Sequence, residues 1–162
     1  MANNLYFDAE LLEDDLRKII KSSVKTKDAI DMFGEIHVIP KDSDLNSKTL
    51  FPAVSIDIYK NGPYTPTQED VEVEPYSRFN VIVETYTTGS NRRSLNMKLA
   101  QFMIYILQTN QQLDNYYNRG LKLDQEREVS SFIEGVNRRL IRFSGVVDNA
   151  SKLIYNKEIW YG

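Results

Sequence analysis

The chain reads as an α+β protein: a mixed, largely antiparallel sheet with helices packed on one face, in the order α-α-β-β-β-α-β-β. Three observations predict this class. Two helical segments open the chain. Several segments with period-two alternation follow. One long apolar helical stripe then separates three strands from at least two more. The 162 residues suit one domain spanning 1–162, large enough to bury a core of its own.

Each element has its own local reason. Asp8 can cap a helix over 9–23, where Leu11, Leu12, Leu16, Ile19, Ile20 and Val24 recur at helical spacing. Its acids gather in the first turns (Glu10, Glu13, Asp14, Asp15) and its bases toward the far end (Arg17, Lys18, Lys21), as the helix dipole favours. Thr26 can cap a short second helix that stops at Gly34. Glu35-Ile36-His37-Val38-Ile39 alternates and reads as a strand ending at Pro40. Residues 41–48 are polar and read as a loop.

Two clear strands follow. In 52–59, Val54, Ile56 and Ile58 share an inner face, with Ser55, Asp57 and Tyr59 outside. In 79–86, Phe79, Val81 and Val83 point inward. Between them lies a long arm at about 60–78, rich in proline and acid and too long for a tight turn. Thr88-Gly89-Ser90-Asn91 then breaks the chain into its best helix, whose stripe is Leu95, Leu99, Phe102, Met103, Ile106 and Leu107. This helix is expected to lie across the strands around Ile56 and Val81. After an asparagine-rich connection, a strand is expected over 128–134 and a bulge or turn at Gly135. A second strand follows over 139–147, and Leu153-Ile154-Tyr155 forms a short last one.

The segment from Arg138 to Asp148 is unusual. Period two places Leu140, Arg142, Ser144 and Val146 on one face and Arg139, Ile141, Phe143, Gly145 and Val147 on the other. Neither face is cleanly apolar. Such a strand suits a sheet that meets polar surroundings on both sides, as in a subunit of an assembly, or an edge hairpin whose charges keep it soluble.

Composition excludes several kinds of chemistry. The chain has no cysteine, so it has no disulfide, no thiolate nucleophile and no thiolate metal site. The net charge of -3 provides no global basic field for nucleic acid. The first ten residues lack a secretory pattern, and the most apolar run, 102–107, is far too short to span a bilayer. His37 is the lone histidine and has no partner ligand in the sequence. No serine occupies a nucleophile elbow and no glycine-rich phosphate loop occurs. Asp70, Glu72 and Glu74 share one side of the arm if it is extended, which is an oxygen-rich cluster for a divalent cation or a partner for basic residues. Arg92 and Arg93 open the long helix as surface charge or a phosphate contact. The ten tyrosines suit interfaces and half-buried sheets alike. The residues give no enzyme signal.

The order of elements, with the ending Arg142-Phe143-Ser144-Gly145-Val146-Val147-Asp148 and then Leu153-Ile154-Tyr155-Asn156, resembles small tail-completion proteins of long-tailed bacteriophages, the tail terminators above all. The resemblance implies a curved sheet flanked by helices. It implies a structural, non-enzymatic virion protein of the tail–neck region, assembled in the host cytoplasm. Such proteins form a hexameric ring that caps the tail tube, ends its polymerisation and docks the head connector. The implied partners are copies of the chain itself, the tail tube protein and the connector or neck proteins. DNA is only cargo in the lumen; no membrane and no cofactor is involved. A head–tail joining protein is the neighbouring alternative, and a non-viral binding module or a metal-dependent hydrolase built on the arm is a more distant one. On the ring reading, Tyr64, Asp70, Glu72, Glu74 and Tyr76 of the arm and Arg138, Arg139 and Arg142 of the last hairpin are the expected ring or tube contacts. Acids of one subunit would then meet arginines of the next.

Overall fold

A computed structural model describes residues 9–40, 49–64, 76–110, 113 and 118–148. The elements run α1 (Ala9–Ser23), α2 (Lys27–Phe33), β1 (His37–Ile39), β2 (Ala53–Tyr64), β3 (Tyr76–Thr88), α3 (Arg92–Thr109), β4 (Asn118–Val129) and β5 (Val136–Asp148). The five strands form one sheet in the order β1-β2-β3-β5-β4. Only β1 and β2 are parallel; the other three pairs are antiparallel. The helices lie on one face, so the α+β class and the element order agree with the sequence reading. The Asp8 cap, the loop over 41–48 and the short strand at Leu153-Ile154-Tyr155 lie outside the described residues.

The helices form where the sequence places them. Leu12, Leu16 and Ile20 of α1 are buried, with Val24 just beyond its end. Thr26 caps α2 by accepting from the Ala29 N–H at 3.4 Å. Gly34 closes α2 at φ 74°, a left-handed conformation that a side chain disfavours. On α3, Leu99, Met103, Ile106 and Leu107 are fully or almost fully buried. The division of labour differs from expectation: α1 covers β2 and β1, while α3 covers β3, β5 and β4. The strand around Ile56 is therefore roofed by the first helix.

Two strand boundaries differ from the sequence reading. First, both ends of the arm are strand. β2 continues to Tyr64 and β3 begins at Tyr76, with Tyr64 opposite Tyr76 and Pro63 opposite Ser77. Asn61-Gly62-Pro63 falls at the start of the expected arm, yet a register shift between Lys60 and Gly62 lets the ladder continue past it. Second, the strand expected over 128–134 lies earlier: β4 ends at Val129, and residues 130–135 connect it to β5. β4 conceals its period because a register shift between Leu123 and Gln125 breaks it. Leu121 and Leu123 share the helix-side face before the shift; Glu126 and Glu128 share it afterwards.

The core lies between the helices and the inner face of β2, β3 and β5. Val54, Ile56, Val81, Val83, Ile141 and Phe143 are all completely buried there. Gly145 is a necessary gap in it. A Cβ at this position would lie 2.8 Å from Phe79 Cζ and 2.9 Å from Leu121 Cδ2. Overpacking of this kind costs about 1–3 kcal/mol. Gly145→Val is therefore expected to lower the unfolding free energy by about 1–3 kcal/mol relative to the native chain, read in urea as a lower midpoint with an unchanged slope. A neutral Gly145→Val would show that Phe79 and Leu121 can both move aside.

Candidate functional site

The sheet has two faces with different fates. The helices cover one. The other carries Ser55, Asp57 and Tyr59 of β2, Asn80, Ile82 and Glu84 of β3, and Arg138, Leu140, Arg142 and Ser144 of β5. At one end this outer face is closed by a small apolar cluster of Ala53, Tyr86 and Val136, against which Ile39, Phe51 and Ile133 pack. Elsewhere it is a mixed polar surface with no helix over it among the described residues.

The arginines expected at an interface do different things. Arg138 lies on the outer face and grips Glu84 with two bonds, Nη2 to Oε1 at 2.7 Å and Nε to Oε2 at 3.0 Å. Tyr86 donates its hydroxyl to the same carboxylate. A third guanidinium contact, Nη1 to the Ser130 carbonyl at 3.0 Å, reaches into the β4–β5 connection. Arg139 faces the helix side and pairs with Glu126 of β4, both side chains mostly buried. These two arginines are thus held within the chain. Arg142 is exposed on the outer face and has no ion pair among the described residues. Tyr64 and Tyr76 are register partners at the far end of the β2–β3 ladder. Asp70, Glu72 and Glu74 lie outside the described residues.

Burial alone raises the Glu84 pKa, but the hydrogen bonds from Arg138 and Tyr86 and the Arg138 charge outweigh it, leaving the carboxyl below its ordinary 4.5. Burial, then the hydrogen bond to Glu84 and its charge, push the Tyr86 phenol up to about 12. Bonding to Glu84 raises Arg138, and bonding to Glu126 raises Arg139, so both stay cationic.

A second polar group ties α3 to the sheet. Asn96 is fully buried and donates from Nδ2 to the carbonyls of Thr85 and Asn137, both at 3.0 Å, and to Asn137 Oδ1 at 2.9 Å. Asn137 donates in turn to Glu128 Oε1 at 2.6 Å, and Glu128 lies 3.5 Å from Arg93 Nε. Arg92 donates to the Gly89 carbonyl at 3.1 Å. The paired arginines that open α3 are thus used locally, Arg92 on its own turn and Arg93 toward β4.

The sequence reading missed Glu84, Tyr86 and Phe132. Phe132 is 91% exposed at the β4–β5 connection, with the Arg138 Cζ 5.6 Å from its ring centroid. One signal was available for it: two apolar residues, Phe132 and Ile133, between serines and Glu134-Gly135. His37 lines an open cleft of about 630 Å³ with Lys21, Lys25 and Glu35. Among the described residues no three His, Cys, Asp or Glu side chains gather as metal ligands, and no helix is long and apolar enough to cross a membrane.

The Glu84 cluster makes stability depend on pH at both ends. A depressed carboxyl stabilises the fold above its unfolded pKa and loses that advantage as pH falls through the folded value. Glu84→Gln is expected to cost about 1–3 kcal/mol at pH 7, by chemical denaturation, with the gap closing below pH 4.5. A raised phenol stabilises the fold below pH 10 and loses that contribution as pH climbs toward 12. The native chain should therefore lose ground to Tyr86→Phe across that alkaline window; parallel curves would contradict the assignment.

No protein-family model matches the chain, and no curated protein matches it in sequence. Its fold does have counterparts among solved structures. A chain from a structure described as the virion of a native gene transfer agent particle superimposes with a TM-score of 0.66 at 11% identity, over 88% of this chain and 98% of that one. The likeness spans nearly the whole of that chain and is one of architecture.

Proposed function

We propose that this protein is a structural component of a phage-like virion, and specifically a tail terminator that acts by self-association. The observation that carries the reading is the near full-length match of fold to a chain from a virion particle. The ending from Arg142 to Asp148 supports the finer role, through its resemblance to tail terminators. The architecture suits such work. A sheet roofed on one face leaves the other free for neighbours.

The mechanism is geometric. A ring arises when one patch of a subunit binds a different patch of the next and the rotation between them closes. A terminator presents toward the tube a surface that the tube accepts, and toward the head a surface on which no further tube subunit can add. Growth then ends without bond chemistry. By the resemblance the ring is a hexamer, it docks the head connector, and DNA passes through its lumen.

The acid–arginine pairing expected from the sequence narrows to one cation. Arg138 and Arg139 are taken up by Glu84 and Glu126 inside the chain. Exposed Arg142 is left to meet Glu72 and Glu74 of an adjacent arm. The β2–β3 ladder ends at the Tyr64–Tyr76 pair.

Electron micrographs of tails assembled with and without the protein test the role. Overlong, unfinished tubes in its absence are expected; tails of normal length that lack heads would instead assign it to head–tail joining. For the pairing, Glu72→Lys with Glu74→Lys should impair capping, as should Arg142→Glu. All three together should recover part of it. Capping at native levels by the acid-to-lysine variant would rule the pairing out.

A further inference from the structure

We infer that Phe132, at the tip of the β4–β5 hairpin, is a knob that seats in the apolar groove between α2 and α3 of a second copy of this chain. The proposal rests on the ring reading and names a contact that would build the ring.

The knob is held out to solvent by its surroundings. Ile133 turns inward and packs on the apolar cluster of Ala53, Tyr86 and Val136, which anchors the connection to the sheet. Ser131 Oγ accepts from the Ile133 N–H at 3.2 Å and tightens the turn. Arg138, fixed at its far side by Glu84, bonds the Ser130 carbonyl and lies against the Phe132 ring. The ring is therefore pre-positioned with 91% of its surface in water. Holding a contact group in its bound geometry reduces the entropic cost of docking.

The hole is on the same chain but elsewhere. α2 and α3 leave an open groove of about 390 Å³, floored by Phe33 and Phe102, whose rings stack at 5.7 Å. Met32 and Tyr105 stand at its mouth, 59% and 66% exposed. A phenyl ring with part of its flanking backbone fits that space, and a methionine beside aromatic rings adapts to it. Lys98 on the rim complements Glu134, two residues past the knob and exposed; Asp28 also lines the groove.

Geometry forbids one chain from filling its own groove. The hairpin tip lies at the N-terminal end of α3, where Asn96 meets Asn137 and Arg93 meets Glu128. The groove runs along the later turns of α3, to Asn110. At 1.5 Å per residue the middle of this stretch lies about 18 Å along the helix from its start. Knob and hole are thus distinct surfaces of one chain, as a head-to-tail contact requires. An aromatic residue buries about 150–250 Å². Phe132 with Met32 and Tyr105 therefore covers well under the roughly 800 Å² per partner of a stable pair. Such a contact is weak singly and gains strength when a closed ring or a tube repeats it.

The absence of cysteine in the native chain makes the test direct. The full chain is prepared as two single variants, Ser130→Cys beside the knob and Lys98→Cys on the groove rim. The two are mixed at high protein concentration under mild oxidation. A covalent dimer joining one variant to the other is expected to form well ahead of the dimers within either variant alone. Adding Phe132→Asp to the Ser130→Cys chain should abolish it, with thermal unfolding unchanged because the side chain is exposed. Mixed dimers no more abundant than the like-with-like ones, or undiminished by Phe132→Asp, would overturn the contact. Micrographs of the native protein on tail tubes separate the two ideas. Rings without the mixed dimer remove the knob and keep the ring, whereas the absence of both removes both.

Discussion

The pairing of β5 with β3 is the constraint on which the rest of the structure depends. It runs in register from Tyr76 opposite Asp148 to Thr88 opposite Val136 without a break. That ladder sets Ile141 and Phe143 beside Val83 and Val81, completely buried, and so builds the floor on which α3 rests. It also inserts the last described strand between β3 and β4, two strands joined through α3 in the chain. A one-residue slip would turn Phe143 to the outer face and Arg142 into the core. Gly145 reinforces the same register, because a Cβ there would crowd Phe79 and Leu121.

With that register set, the two-faced charge pattern of β5 has a simple cause. Arg138 and Arg139 are adjacent, so they must point to opposite sides. Each finds a carboxylate on a neighbouring strand, Glu84 of β3 on the outer side and Glu126 of β4 on the helix side. Half-buried guanidinium–carboxylate pairs of good geometry cost little to bury, whereas one partner left alone costs much more. The arginines therefore act first as fasteners, β5 to β3 and β5 to β4. The outer fastener has a second effect: its remaining N–H reaches the Ser130 carbonyl and shapes the hairpin tip. Structural pairing and a presented surface thus share one side chain.

On the proposed reading, the surfaces left free are those through which subunits associate. One sheet face is mixed polar and unroofed among the described residues, and the exposed apolar groups include Phe132 at the hairpin tip and, at a separate place, Met32 and Tyr105 at the α2–α3 groove. A protein that works by closing a ring gains from contacts that are individually weak. Weak contacts keep free subunits apart and let a tube end organise them, since linked contacts reinforce one another once the geometry is met. The likeness to a chain of a virion particle is one of fold, and the ring is the reading proposed for it.

The sequence by itself determined the helices, the inner faces of β2 and β3, and the α+β class. These depend on local periodicity, which survives in any context: Leu12, Leu16 and Ile20, or Val54, Ile56 and Ile58, mark their buried faces however the chain is arranged. Only the tertiary structure decided the extent of β4, the continuation of β2 through Asn61-Gly62-Pro63, and the partners of the arginines. Each register shift moves the side-chain alternation by one residue, so the period fails where the strand does not. Glu84 and Arg138 are separated by 54 positions, and no local pattern links them. Phe132 makes the same point in reverse. Its identity suggests burial, and it stands in water because Ile133 beside it takes the inward place.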